Sequence, residues 1–340
     1  MSLDAFMTRY LPPLEAEMRR VVGALPAEPD DYSLMLRYHL GWVDERGQPC
    51  DGASGKRVRP GLLLLCAEAA GGDMAAALPA AAAVELLHNF SLIHDDIQDE
   101  SPTRRGRPTV WAIWGRANAI NAGDAMYTLA YAALWDLVER GAPPVRALDA
   151  WRLFTDTCLA LTQGQHLDMA FEHQASVSLE AYLRMIGGKS AALIAASAQL
   201  GALVAGADAD RQAHFAAFGR NLGLAFQIRD DILGIWGEQA ATGKSTQTDI
   251  ATRKKTLPVI YALERCADLR ALYRQPDAFT PEDVARATAL IEATGAKAYA
   301  EKQEQVAHRV ALDALRAAQP APDPGHALET LAGWLLKRAH

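Results

Sequence analysis

The sequence predicts an all-α protein, a bundle of helices without a sheet. Three observations carry that expectation. Apolar residues recur at helical spacing along almost the whole chain, Pro and Gly punctuate the pattern, and the composition leans to Ala and Leu, with 50% hydrophobic but only 7% aromatic residues. The breaks fall at 26–31, 47–55, 71–73, 101–108, 141–144, 187–188, 206–208, 237–255 and 320–324. They leave pieces of roughly 12 to 30 residues, the length of bundle helices. Within 280–283, Thr280 reads as an N-cap, Pro281 as the first helical residue and Asp283 as the acid three positions after the cap. No alternating β-branched run demands a sheet, and no low-complexity linker or fixed-period repeat divides the 340 residues. One all-α domain over 1–340 is therefore expected.

Charge and cysteine usage narrow the function classes. A formal net charge of −7 supplies no domain-wide basic surface for nucleic acid. The basic residues gather instead beside aspartates, so any bound anion is expected to be small and local. The four cysteines, Cys50, Cys66, Cys158 and Cys266, are far apart and lack metal-ligand spacing. That usage suits reduced thiols and a cytoplasmic location. The first 20 residues carry an early acid and no uninterrupted apolar core, so they do not read as a secretory signal. The apolar run around 77–87 ends in Glu85 and His88, so no membrane span is expected.

Two acidic helix ends hold the chemistry. In HNFSLIHDDIQD, Glu85, His88, Leu92, Asp95 and Asp99 share one helical stripe, with Asp96 beside it. Three aspartates at the C-terminal end of a helix oppose the macrodipole, a penalty that a bound cation offsets. The plainer reading is a solvated acidic helix end. In FQIRDDILG, Gln227, Asp230 and Asp231 recur on one side, and Gly234 stands where a third carboxylate would match Asp99. Oxygen-only ligands beside Lys and Arg suit Mg²⁺ bridging protein to phosphate. The basic partners are Lys56, Arg57 and Arg59 in GKRVRP, Arg104 and Arg105 just beyond Asp99, and Lys189 after Gly187-Gly188. Each alone reads equally as a solvated surface charge, and His88 as a core histidine. The polar segment 237–255 is either a lid over a site or an ordinary loop.

Together these stretches resemble the trans-isoprenyl diphosphate synthase (polyprenyl synthetase) family. The resemblance covers about 56–258 and rests on nine ordered blocks: GKRVRP, ELLHNFSLIHDDIQD, RRGRPT, NAINAGDAM, GQHLDMAFE, GGKSAAL, FQIRDD, TGKSTQTDI and RKKTLPV. It implies an isoprenoid-synthase-type helical bundle around a central active-site cavity, usually as a homodimer. It implies that Asp95, Asp96 and Asp99 ligate two Mg²⁺ ions on an allylic diphosphate and Asp230 a third, with Asp231 supporting the metal shell. Arg104, Lys189, Lys244 and Lys254 would hold that diphosphate, while Lys56, Arg59, His88 and Arg105 would hold isopentenyl diphosphate. Gln165 and Gln227 would line the reaction centre. Two departures stand out: Gly234 replaces the family's usual last aspartate, and Ser190 stands where threonine is frequent. Because Asp230 is retained, activity is expected to survive, and Gly234→Asp is expected to be tolerated.

The activity so implied is Mg²⁺-dependent condensation of isopentenyl diphosphate with dimethylallyl, geranyl or farnesyl diphosphate. At about 1.5 Å of rise per residue, Phe90 and Ser91 lie roughly 6 to 8 Å from Asp95, with Leu87 and Val84 deeper. One aromatic five residues before the aspartates, followed by a small residue, is similar to the geranylgeranyl diphosphate synthase pattern. A twenty-carbon product is therefore expected, with farnesyl or longer polyprenyl diphosphates as the alternative. A class I terpene cyclase would need neither GKRVRP nor His88 and would carry an NDxxSxxxE-like triad that is missing here. A non-catalytic regulatory subunit would have lost metal ligands that this chain keeps.

Overall fold

The computed structural model describes residues 3–25, 30–50, 52, 55–172, 174, 176–237 and 248–336. The chain forms two compact units: Met1–Phe154 with Ser197–Gln212 and Pro320–Leu328, and Thr155–Ala196 with Ala213–Gln319 and Glu329–His340. Among the described residues nearly all regular structure is helical, as the sequence predicts. The exception is a two-residue hairpin, β1 (Thr103–Arg104) against β2 (Arg107–Pro108). Periodicity could not reveal it, because strands this short carry no alternation. Its turn residues, Arg105 and Gly106, have φ of 53° and 75°, the left-handed pair that a tight two-residue hairpin requires.

The first unit is organised around α4 (Met74–Gln98), started by Asp73, whose side chain accepts from the Ala75 N–H at 3.1 Å. Residues 77–87 of α4 are buried without interruption. Small side chains at Ala77 and Ala80 to Ala83 let neighbouring helices approach closely. Those neighbours are α1 (Leu3–Val22), α3 (Val58–Ala69) and α6 (Arg116–Glu139). Helix α1 buries Phe6, Tyr10, Leu14 and Met18, one residue per turn. By length and composition α4 would cross a membrane, but 72% of its most apolar window is buried inside the protein. It is a core helix, so an apolar stretch here does not signal a bilayer. Helices α2 (Asp30–His39) and α5 (Val110–Trp114) flank this core, and α7 (Pro144–Glu172) begins in this unit.

The second unit contains the end of α7, α8 (Leu179–Ile186), the π-helical turn Gly187–Ala191 and the start of α9 (Ala192–Val204). It also holds most of α10 (Ala209–Trp236) and the helices α11 (Thr248–Ala251), α12 (Leu257–Arg265), α13 (Ala267–Tyr273), α14 (Pro281–Ala293) and α15 (Ala296–Ala317), before α16 (Pro322–Leu336) ends the described chain. The Thr280 cap is a full capping box: Thr280 Oγ1 accepts from the Asp283 N–H at 3.2 Å, and Asp283 accepts from the Thr280 N–H at 3.0 Å. One apolar cluster joins Ile235, Ile250, Val259, Leu269 and Ile291. A second joins Tyr182, Met185, Ile228, Ile232 and Leu257.

Close helix contact is set by glycine at two places. A Cβ on Gly164 would lie 2.1 Å from the Lys189 backbone nitrogen, so α7 meets the π-helical turn backbone to backbone. A Cβ on Gly201 would lie 2.3 Å from the Leu63 carbonyl oxygen and 2.9 Å from the Ala67 nitrogen. Since neither backbone atom can rotate away, α3 and α9 would have to separate. Gly201→Ala should therefore destabilise the protein by about 1–3 kcal/mol, read from urea unfolding. An unchanged midpoint would show that this helix contact is loose.

Candidate active site

The chemistry-bearing residues fall into two groups, one in each unit. In the first unit, GKRVRP leads into α3. Lys56 is exposed just before the helix, Arg57 occupies the N-cap position, and Arg59 lies in the first turn. Arg59 Nη1 stands 3.2 Å from His88 Nε2 on α4. The hairpin turn brings Arg105 onto the same segment, with its guanidinium so close to Gly55 that a Cβ there would lie 2.7 Å from Nη2. Lys56, Arg59, His88 and Arg105, scattered over 50 residues of sequence, thus sit in one neighbourhood. Burial, followed by the charges of Arg59, Arg105, Arg104 and Arg57, holds the His88 imidazole well below its usual pKa. His88 is therefore a neutral hydrogen-bonding ring rather than a cation.

The α4 carboxylates divide by face. Asp95 is half-buried and Asp99, the C-cap residue, is exposed. The Asp99 N–H donates to the Asp95 carbonyl at 2.8 Å. Asp96 points inward, 2% exposed, and accepts from Arg104 Nε at 2.8 Å. Burial pushes the Asp96 carboxyl up to about 6, while Arg104 pulls the other way. Asp96 and Arg104, which the sequence suggested as a flanking metal ligand and a diphosphate contact, are paired with each other in this structure.

Oxygen donors at Asp95 and Asp99 fit a hard divalent ion. No group of three or more His, Cys, Asp or Glu among the described residues is arranged to hold a metal by itself. An ion here must therefore complete its shell with water or with oxygens of a bound anion. Magnesium keeps such ligands readily, and phosphates are its usual partners.

Below the aspartates, Phe90 is half-buried, and its ring packs on His94 at 4.7 Å and on Tyr127 of α6 at 5.0 Å between centroids. Tyr131 continues the row at 5.3 Å from Tyr127. Ser91 bonds back to the His88 carbonyl at 2.8 Å. Leu87 and Val84 have no exposed surface at all and belong to the packed core. Tyr127 was not legible beforehand, because nothing in NAINAGDAMYT marks it. Gly123 in that block has a clear reason: a Cβ there would lie 2.2 Å from His94 Nε2.

In the second unit the π-helical turn presents Lys189 and Ser190. Lys189 Nζ pairs with Asp168 at 2.5 Å, a partner that motif reading passed over. Ser190 Oγ donates to Gln227 Oε1 at 2.5 Å, and Gln227 Nε2 donates to Asp231 at 3.0 Å. Asp231 also accepts from Tyr182 Oη at 2.5 Å and from the Leu257 N–H at 2.9 Å. Burial pushes Asp231 up to about 6 against these donors. With three donors engaged, Asp231 orients the network around it, while Asp230, the residue before it on α10, is exposed. Gln165 is half-buried on α7 and Lys254 is exposed. Lys244 and most of the candidate lid, 238–247, lie outside the described residues.

The space beside Gly234 belongs to Asp249. A Cβ at position 234 would lie 2.0 Å from Asp249 Oδ2 and 2.9 Å from its Cγ. Gly234→Asp, which the sequence suggests is tolerated, therefore obliges the Asp249 side chain to turn aside and sets two carboxylates next to each other. The variant should lose about 1–3 kcal/mol of stability, and adding Asp249→Gly should restore most of it. Thermal unfolding of both proteins checks this, and a double variant no more stable than Gly234→Asp alone would refute the steric account.

The polyprenyl synthetase family model matches residues 42–291. A geranylgeranyl diphosphate synthase of Mycobacterium tuberculosis is 44% identical over 304 residues, 88% of this chain and 86% of that protein. A (2E,6E)-farnesyl diphosphate synthase of Mycobacterium bovis is 50% identical over 229 residues, which is 67% of this chain but only 62% of that relative's length. Among solved structures, a polyprenyl synthetase from Streptomyces coelicolor A3(2) superposes with a TM-score of 0.90 at 37% identity, covering 98% of this chain and all of that one. A geranylgeranyl pyrophosphate synthetase from Pyrococcus horikoshii gives 0.88 at 32% identity, covering 98% of each chain. With a family model spanning most of its length and the motif residues in their expected helices, the chain belongs to the polyprenyl synthetase family.

Proposed function

We propose that the protein is a Mg²⁺-dependent trans-prenyltransferase that condenses isopentenyl diphosphate with an allylic diphosphate. The gathering of Lys56, Arg59, neutral His88 and Arg105 beside the α4 carboxylates carries this reading. It is a site for one diphosphate, next to carboxylates suited to a metal-bound second one. Lys56 and Arg59 bind and orient isopentenyl diphosphate, Arg105 closes over it from the hairpin, and His88 donates a hydrogen bond. Asp95 and Asp99 would hold two Mg²⁺ ions for the allylic diphosphate and Asp230 a third. When bound, the ions supply charge stabilisation to the departing pyrophosphate. Lys189, Lys244 and Lys254 add positive charge for the same group, with Gln165 and Gln227 at the reaction centre. Asp96 holds Arg104 in place, and Asp231 orients Gln227. The double bond of isopentenyl diphosphate then attacks the allylic carbon, and pyrophosphate removes the proton lost from the adduct. No protein nucleophile is required.

The product we assign is geranylgeranyl diphosphate. Its support is the single aromatic at Phe90 with small Ser91 after it, and Tyr127 standing against the Phe90 ring. Relatives at 50% identity named as farnesyl diphosphate synthases favour a fifteen-carbon product as the second reading. A homodimer also belongs to this reading. Trp135, Val145 and Leu148 on α6 and α7 are 57%, 71% and 66% exposed, an apolar strip that a second copy would cover. A cytoplasmic location fits four free cysteines.

Two experiments test this function. Asp95→Ala and Asp230→Ala should each lower kcat at least about a hundredfold at saturating Mg²⁺, with circular dichroism unchanged. Near-normal turnover in either would remove that carboxylate from the site. Incubation with Mg²⁺, isopentenyl diphosphate and each allylic primer should yield mainly twenty-carbon product. Phe90→Ala should shift it longer and Ser91→Phe shorter. A mainly fifteen-carbon product decides for the second reading, and identical distributions in both variants would show that α4 does not set the stop.

A further inference from the structure

Between Lys56 and Arg59 stands an arginine that touches no part of the proposed subsite. Arg57 is 3% exposed and sits at the N-cap of α3 with φ 46° and ψ 38°, a left-handed backbone on a residue with a side chain. That conformation costs about 1–2 kcal/mol, so the surroundings must hold it. They do so from three elements. Arg57 Nε donates to Glu15 Oε1 on α1 at 3.0 Å, Nη1 to Glu85 Oε1 on α4 at 2.6 Å, and Nη2 to the Leu40 carbonyl, just past α2, at 3.1 Å. The two carboxylates are fixed in turn. Trp42 Nε1 donates to Glu15 Oε2 at 2.7 Å, and Asn89 Nδ2 to Glu85 Oε1 at 2.9 Å.

The consequence is one of register. Glu85 and His88 are three residues apart on α4 and share a face, just as Arg57 and Arg59 are neighbours at the start of α3. The Arg57–Glu85 pair locks the beginning of α3 to α4 one turn before the point where Arg59 meets His88 at 3.2 Å. With its side chain drawn inward, the left-handed turn at Arg57 leaves Lys56 on the surface. The two glutamates also neutralise Arg57, so its charge does not compete with Lys56, Arg59 and Arg105 for the same anion. Lysine could not replace it, because one ammonium cannot span three acceptors set in different directions.

We propose that Arg57 is a positioning residue for the diphosphate subsite formed by Lys56, Arg59, His88 and Arg105. It acts through the geometry of Lys56 and Arg59 and never touches substrate. The inference rests on the assignment of that subsite to isopentenyl diphosphate. Its test is steady-state kinetics with each substrate varied in turn, on Arg57→Lys, Glu15→Gln and, as reference, Lys56→Ala. Arg57→Lys should raise KM for isopentenyl diphosphate about tenfold, with KM for the allylic diphosphate changed less than about twofold and kcat little affected. Glu15→Gln, at the partly exposed partner, should move the same constant in the same direction by a smaller factor, and it decides the matter if Arg57→Lys does not fold. A merely structural ion pair would lower the melting temperature and move both Michaelis constants together, or neither, and either result overturns the proposal. If Lys56→Ala raises KM for isopentenyl diphosphate while Arg57→Lys and Glu15→Gln do not, the positioning role alone is refuted. If Lys56→Ala has no effect, the subsite assignment falls and the role of Arg57 falls with it.

Discussion

Gathering several arginines at one end of a buried helix is an electrostatic problem, and the first unit is arranged around its solution. Arg57, Arg104 and Arg105 lie close enough to act on two histidines, joined by Arg59 at His88 and by Arg107 at His39. Burial, and then these charges, hold His39 down to about 3 and His88 well below its ordinary value. Like charges at this density repel unless counter-charges are placed among them. Glu15 and Glu85 are bound to Arg57 and Asp96 to Arg104. Arg59 and Arg105 keep their places beside Lys56 and His88. The internal carboxylates thus offset Arg57 and Arg104, the two arginines that they bind.

The second unit handles the opposite sign by hydrogen bonding. Asp231 is buried, with its carboxyl pushed up to about 6, and Tyr182, Gln227 and the Leu257 N–H converge on it. A fully satisfied polar network of this kind rigidifies its members. Gln227 is held between Ser190 and Asp231, so the serine standing where threonine is frequent still supplies the hydroxyl that orients the amide. The π-helical turn makes this possible. It widens one turn of helix where Gly164 and Gly188 let two backbones touch, and π-bulges of this kind gather at functional sites.

The division of labour between Asp95, Asp96 and Asp99 follows from helical geometry alone. Residues 95 and 99 share a face while 96 is rotated by about 100° from 95, so one carboxylate must point elsewhere. Here it points inward to Arg104. The same arithmetic places Phe90 near one face of α4, but not what that face meets. Tyr127 and Tyr131 come from α6, and only the packing of the two helices puts an aromatic row behind Phe90.

The sequence by itself determined the helical class, most of the breaks and the capping box at Thr280, and it named the residues proposed to meet a metal or a diphosphate; the break expected at 187–188 is instead a π-helical turn within continuous helix. Those features depend on local periodicity and residue chemistry, which a few turns of chain contain. The hairpin escaped because two-residue strands leave no pattern. The tertiary structure alone decided which charge offsets which. Arg57 and Glu15 are 42 residues apart, and Tyr182 and Asp231 are 49 apart, separations over which no spacing rule operates. It also decided the meaning of Gly234, which looked like a lost ligand in the motif. In space it is the room that the Asp249 carboxylate occupies, because close packing is a property of facing surfaces and not of one strand of sequence.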